Sequence, residues 1–395
     1  MLQFLFFLSF SAALAAEPEE VAELKSVPLA EVSATEPATW YEYRGYLVSE
    51  LGWLSQPRVV GLERGSAIGE ANATAIVRPT SWLSLFGDGL WVGSLPGSAS
   101  QAVLAQAGLR IQAAEEWSLA LGRERNFRAP GMLVNPSDFL HPSQTVPGQR
   151  MQRAGVWLAR ASYQTLKFTA DGLFLPFQDL DAGGIPLSAK AEDLGGAGRV
   201  YVSAWDTDLG LTAGYFGRTW QGGLSVSRYV LKGFEIHTEL GYRSGSGGRA
   251  LLGTRLDVGS SSSVTLEGYY NGWGYSSDSW DRVSPGLLFA ARKAAAASSS
   301  SFSGSATSQL NLFHRQWYLI GGYSASDLWK IFNASFSAVL SAEDYSGLSV
   351  FRWEWMVSGR STLSLLALGL WGRDDGQYGA RPIDSRLGIE WRLNF

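Results

Sequence analysis

Three histidines, His141, His237 and His314, are the only imidazoles in this chain of 395 residues, and there is no cysteine. A serine nucleophile needs such a ring within hydrogen-bond reach and a third group to orient it. Only His237 has acidic neighbours at close spacing, Glu235 and Glu239. A spacing of two puts all three side chains on one face of an extended strand. There they read as a polar row, not as a base with its orienting acid. Three scattered histidines without cysteine also lack the ligand spacing of a metal centre. The sequence thus predicts no catalytic group, no cofactor and no metal, and the chain is read as not an enzyme. A net charge of -4 gives no basic footprint for nucleic acid.

What remains is charge arranged in rows. Phe234, Ile236, Thr238, Leu240 and Tyr242 alternate with Glu235, His237, Glu239, Gly241 and Arg243. Tyr41, Tyr43 and Leu47 oppose Glu42 and Arg44, Leu252, Leu256 and Val258 oppose Arg255 and Asp257, and Phe351, Trp353 and Trp355 oppose Arg352 and Glu354. Glu267 takes the same place beside Leu266. Period-two alternation is the mark of a strand with two unlike faces. An Arg or Lys facing lipid at the midplane of a membrane barrel costs ~2–4 kcal/mol. Glu42, Arg44, Glu235, His237, Glu239, Arg255, Glu267, Arg352 and Glu354 are therefore predicted to face an aqueous lumen.

The elements that would position these rows follow from the whole chain. Mean hydropathy is -0.02, and beyond the first 16 residues no apolar run approaches the ~20 residues of a spanning helix. Sixteen Trp, 15 Tyr and 19 Phe suit a membrane interface, which accepts large amphipathic rings. Residues 1–15 read as a signal peptide, with an apolar core from Leu2 to Phe10 and a small-x-small site at Ala13-Leu14-Ala15. Residues 16–38 form an acidic periplasmic segment, and residues 39–395 the barrel. At the other end Leu387, Ile389, Trp391, Leu393 and Phe395 alternate with polar residues. This strand resembles the terminal signal read by the outer-membrane assembly machinery of Gram-negative bacteria, with Trp391, Leu393 and Phe395 as its apolar face.

The predicted fold is all-β, a transmembrane antiparallel up-and-down β-barrel of about 18 strands, from one centred near Tyr43 to one near Ile389. Sixteen strands remain open, because Tyr215 to Ser227 alternates poorly. Short periplasmic turns are expected at eight places, among them Arg78-Pro79-Thr80, Tyr163-Gln164, Trp205-Asp206 and Ser326-Asp327. Long extracellular loops are expected at Asn126–Gln152, Leu175–Leu194, Gly272–Phe313 and Arg373–Ile383. This parity of short and long connections is that of outer-membrane barrels.

One long loop carries a motif. Gly122-Arg123-Glu124-Arg125 leads through Arg128 and Gly131 to Asn135-Pro136-Ser137-Asp138. Asn-Pro followed by Asp makes a rigid polar turn, and the arginines can pair with Asp138 or with loop carbonyls. The segment resembles the Gly-Arg-x-Arg and Asn-Pro-x-Asp loop of porin-like outer-membrane barrels, although Val134 stands where that pattern often has Trp. The resemblance implies a loop folded into the lumen, with Arg123, Arg125, Arg128, Asn135 and Asp138 at the constriction. An ordinary extracellular loop is the alternative. The expected function is passive diffusion of small hydrophilic solutes. A non-conducting barrel serving as an adhesion, assembly or export partner is the other reading. The expected partners are outer-membrane lipid, the assembly machinery and the solutes; monomer and trimer both remain open.

Overall fold

The computed structural model describes residues 40–55, 65–95, 100–124, 130–139, 155–176, 194–216, 218–283, 313–373, 376–379 and 385–395. The expected signal peptide and acidic segment lie outside them. The first strands are β1 (Tyr41–Ser55), β2 (Gly65–Thr80), β3 (Leu83–Leu95), β4 (Ser100–Gln112), β5 (Trp117–Glu124) and β6 (Val156–Gln164). Next come β7 (Phe168–Leu175), β8 (Gly195–Ala204), β9 (Thr207–Phe216), β10 (Thr219–Leu231), β11 (Phe234–Arg243) and β12 (Gly247–Val258). The last are β13 (Ser262–Asn271), β14 (Trp317–Leu328), β15 (Phe332–Ser341), β16 (Gly347–Ser358), β17 (Ser361–Trp371) and β18 (Ser385–Asn394).

Each strand pairs antiparallel with the next, and β1 pairs with β18 from Tyr46↔Asn394 to Ser55↔Ser385, so the sheet of 18 strands closes on itself. Closure leaves no strand edge, which is what a hydrocarbon surround demands of a backbone it cannot hydrogen-bond. Sixteen strands are ruled out, because β9 and β10 are separate and registered from Thr219↔Phe216 to Arg228↔Thr207. Their alternation is blurred by Gly222 and Gly223, which have no side chain to mark a face.

Three turns sit slightly later than expected. Strand β2 runs through Pro79 to Thr80, with a register irregularity after Val77 that accommodates the missing proline N–H, and the turn is Ser81-Trp82. Tyr163 and Gln164 belong to β6; the chain reverses after them, where Thr165 N–H bonds the Phe168 carbonyl at 2.7 Å. Ser326 and Asp327 are absorbed into the irregular end of β14, and Trp329 and Lys330 turn instead with positive φ. At Trp205-Asp206 both residues have positive φ, 53° and 56°, the twist-matched geometry of a two-residue hairpin.

The outer face is apolar and edged by rings. Tyr41, Tyr43, Trp117, Trp205, Trp329 and Trp391 are exposed at the short-turn end, and Trp53, Trp91, Trp220, Tyr242, Trp317 and Trp371 at the long-loop end. Between them lie exposed leucines such as Leu119, Leu211, Leu252, Leu266 and Leu319. From Tyr43 to Trp53 ten residue steps of ~3.3 Å on a strand tilted ~40° give a band of ~25 Å, the height expected of a membrane barrel. At the seam Gly45 and Phe395 exchange backbone hydrogen bonds of 3.0 and 2.9 Å. The Phe395 ring lies 2.6 Å from where a Cβ on Gly45 would be, so the last residue covers the gap that glycine leaves.

The lipid-facing assignment has a quantitative test. Leu266, midway along β13, should tolerate Arg poorly, with Leu266→Arg losing ~2–4 kcal/mol of folding free energy in bilayers. Val258, at the short-turn rim, should lose ~1 kcal/mol or less as Val258→Arg. Equal losses in denaturant titrations from vesicles would contradict the orientation.

Candidate functional site

Among the described residues, three charged groups stand out on the inner face. Arg110, Glu124, Arg160, Asp171 and Arg199 form a ladder across β4 to β8, linked by contacts of 2.5, 2.9, 3.6 and 3.0 Å. Arg352 bridges Glu354 and Glu390 at 2.7 Å each, and Arg386 pairs with Glu50, which carries the second group across β16, β18 and β1. The third, on β11 and β13, is acidic: His237 lies between Glu267 at 3.1 Å and Glu235 at 3.7 Å, with Glu239 beside them. Arg255 pairs with Asp257 at 3.1 Å, and Glu42 takes both Arg44 and Arg78. Glu42, Arg44, Glu235, His237, Glu239, Arg255, Glu267, Arg352 and Glu354 lie on the polar-faced rungs of their strands. The ladder from Arg110 to Arg199 was not anticipated, because its outward partners include Ala159, Ala161, Ala170 and Gly172, too small to give contrast.

Glu239 and Glu267 have no exposed surface, so something inside the barrel covers them. That cover is the segment 130–139. Gly131 N–H donates to Glu239 Oε1 at 2.8 Å, while Ser137 donates its N–H at 3.1 Å and its hydroxyl at 2.6 Å to Oε2. Met132 N–H donates to Glu267 Oε1 at 2.7 Å, and Arg249 reaches the Pro136 carbonyl at 3.4 Å. A buried carboxylate is costly unless hydrogen-bonded, and here the loop supplies the donors.

The turn geometry follows from its residues. Asn135 accepts from Asp138 N–H at 3.2 Å, with Pro136 fixing φ at the second position of the turn. Leu133 and Val134 join an apolar cluster with Leu251, Tyr269, Ile320 and Leu348 on the inner wall. Phe139 packs with Leu158, Leu173 and Leu175 on β6 and β7. The segment therefore follows the inner wall from β14 round to β6. Its root is fixed by Arg123, whose Nε donates to the Gly155 carbonyl at 2.9 Å and whose guanidinium also reaches the Leu104 carbonyl. Asn135 and Asp138 are buried in the turn. Arg125 and Arg128 lie outside the described residues.

A second assembly ties three outer connections together at Gln377. Its side-chain oxygen accepts from the Tyr318 hydroxyl at 2.6 Å and from the N–H groups of Arg315 and His314 at 3.1 and 3.2 Å. Its own N–H donates to Asp344 Oδ2 at 2.8 Å, and Arg315 pairs with Glu343 at 2.8 Å. Burial pushes the Asp344 carboxyl upward, but donation from the Ser346 hydroxyl, Gln377 N–H and Ser346 N–H outweighs it and holds the group below the ordinary aspartate range.

A depressed pKa means that Asp344 contributes stability above its unfolded value, near ~3.9, and that this contribution is lost as pH falls through the lower folded value. Exchange protection at Gln377 N–H should hold from neutral pH down to about pH 4 and drop below it. Asp344→Asn should flatten that drop. A loss of protection already at pH 5 to 6, read by hydrogen exchange with mass spectrometry, would contradict the assignment.

No protein-family model matches the chain, nor does any curated protein sequence. Solved structures do. Pseudomonas aeruginosa OccD3 (OpdP) aligns with a TM-score of 0.53 at 10% identity, over 90% of this chain and 91% of that one. A variant of Rh. blastica porin aligns with a TM-score of 0.49 at 11% identity, over 90% of this chain and 100% of that one. At such identity what is shared with OccD3 is the fold, a barrel architecture extending over nearly the whole chain.

Proposed function

We propose that the chain is a porin-like channel of the bacterial outer membrane, passing small hydrophilic solutes by passive diffusion. The observation that carries this reading is the segment 130–139 laid against a charged inner wall inside a closed barrel of 18 strands. A barrel of that size encloses water unless loops fill it. A channel requires that the segment, which lies against one side of the inner wall, leave a narrower path beside it. On this reading Asn135 and Asp138 shape the constriction, Arg123 holds its root, and Arg125 and Arg128 extend it. Wall charges of both signs make selectivity mild. Residues 1–15 would direct export and be removed after Ala15, and residues 16–38 would remain periplasmic. The alternating end of β18, with Trp391, Leu393 and Phe395 outward, supports recognition by the assembly machinery.

One observation favours a second reading. Leu133, Val134, Phe313 and Tyr378 form a buried apolar cluster on the inner side of β12 to β17, as in a barrel filled by its own loops. Such a barrel would serve as an adhesion, assembly or export partner and conduct no ions.

Planar-bilayer recording of purified protein separates the two. Discrete conductance steps are expected, and removing Asn135 to Pro142 should enlarge them. Asp138→Asn should shift the permeability ratio toward anions, because a negative charge near the path is lost. The shift should shrink at 1 M salt, where the screening length is ~3 Å. Absence of steps from correctly folded protein would favour the filled barrel. Unchanged steps and selectivity in both variants would remove the loop from the pathway.

A further inference from the structure

The inner wall contains a slot made of missing side chains, and we infer that this slot fixes the position of the inward loop. Gly223 on β10 and Gly241 on β11 are directly registered partners, and both are buried on the inner face. A Cβ on Gly241 would collide with the Pro136 carbonyl oxygen and stand 2.7 Å from its carbon. A Cβ on Gly223 would stand 2.6 Å from both Cα and the carbonyl carbon of Ser137. These are backbone atoms of the loop, which cannot swing aside as the end of a side chain does. Farther along the wall, a Cβ on Gly322 of β14 would stand 2.8 Å from Met132 Cε.

Glycine weakens a strand interior, since it orders at a high entropic cost and packs nothing. A registered pair within two strands therefore calls for a reason. The barrel carries its own control: Gly172 on β7 and Gly198 on β8 are also registered partners, they face outward, and a Cβ on either would meet nothing within 4 Å. The inner pair differs in being filled, by the same two residues, Pro136 and Ser137, that Arg249 and Glu239 hold through hydrogen bonds. Slot and polar clamp act on one spot. Gly223 and Gly241 are positioning residues: they set how closely the loop lies to the wall and hence how much of the lumen it leaves open. That last consequence rests on the channel reading; the docking itself does not.

The absence of cysteine makes the test direct. Leu133→Cys places a single thiol on the buried side of the segment, and its reaction with a water-soluble maleimide is followed in purified, folded full-length protein. Adding Gly241→Ala or Gly223→Ala should speed labelling by about ten-fold, the size an overpacking cost of this kind produces. Gly322→Ala, opposed by a flexible thioether, should speed it by only about two-fold. Gly172→Ala and Gly198→Ala should leave the rate unchanged. The heat-dependent gel shift of the folded barrel confirms folding for each variant, and Gly223→Ala and Gly322→Ala carry the test if Gly241→Ala does not fold. Labelling that rises no more for the inner pair than for the outer pair overturns the proposal. Should the parent protein pass no current while the labelling pattern holds, the channel reading fails and the slot stands.

Discussion

Glu239 is a carboxylate with no exposed surface, set on the inner wall of a barrel, and its three hydrogen-bond donors all come from one short stretch of loop. Neither side is stable alone. Without the loop the carboxylate would need water in its place; without the carboxylate two backbone N–H groups and a hydroxyl would be buried with nothing to accept them, at a cost of ~1–3 kcal/mol each. This mutual requirement turns a long connection into part of the wall. Met132 repeats it with Glu267 a strand pair away, and the apolar contacts of Leu133 and Phe139 then fix the two ends.

The outer face obeys the opposite rule. Lipid offers no hydrogen bonds, so the sheet closes and the charged rows of the strands turn inward. Once inward, the charges are organised by strand order: the alternating ladder from Arg110 to Arg199 places one charged residue on each of five successive strands, so each cation finds an anion next door. The patch on β11 and β13 gathers three carboxylates, Glu235, Glu239 and Glu267, around His237, and that is where the loop docks. The location of the loop is thus written in the wall as well as in the loop.

Most of the architecture was legible in sequence. Rows such as Glu235, His237 and Glu239 against Ile236, Thr238 and Leu240 contrast strongly, and the parity of short and long connections fixed the ends of the strands. Turn positions slipped by a few residues where Pro79 and Asp327 perturb the last rungs, since register irregularity has no sequence period. The site was legible in part. Asn135-Pro136-Ser137-Asp138 announced a turn, but which wall it would meet depends on pairings more than a hundred residues away. Glu267 read as one more lumen charge, with nothing to mark it as the acceptor for Met132. Gly223 and Gly241 looked like ordinary strand glycines, because only the closed barrel registers one against the other and lays a loop across them.

Single-channel recording of Glu239→Ala beside the parent protein in the same bilayers tests the docking of the loop on Glu239. Loss of the shared acceptor should free the segment 130–139 from the β10 to β13 wall while the barrel stays folded. Conductance should be changed and noisier, accompanied by faster amide exchange across Gly131 to Ser137. Steps of unchanged size and noise, with those amides still protected, would contradict that docking.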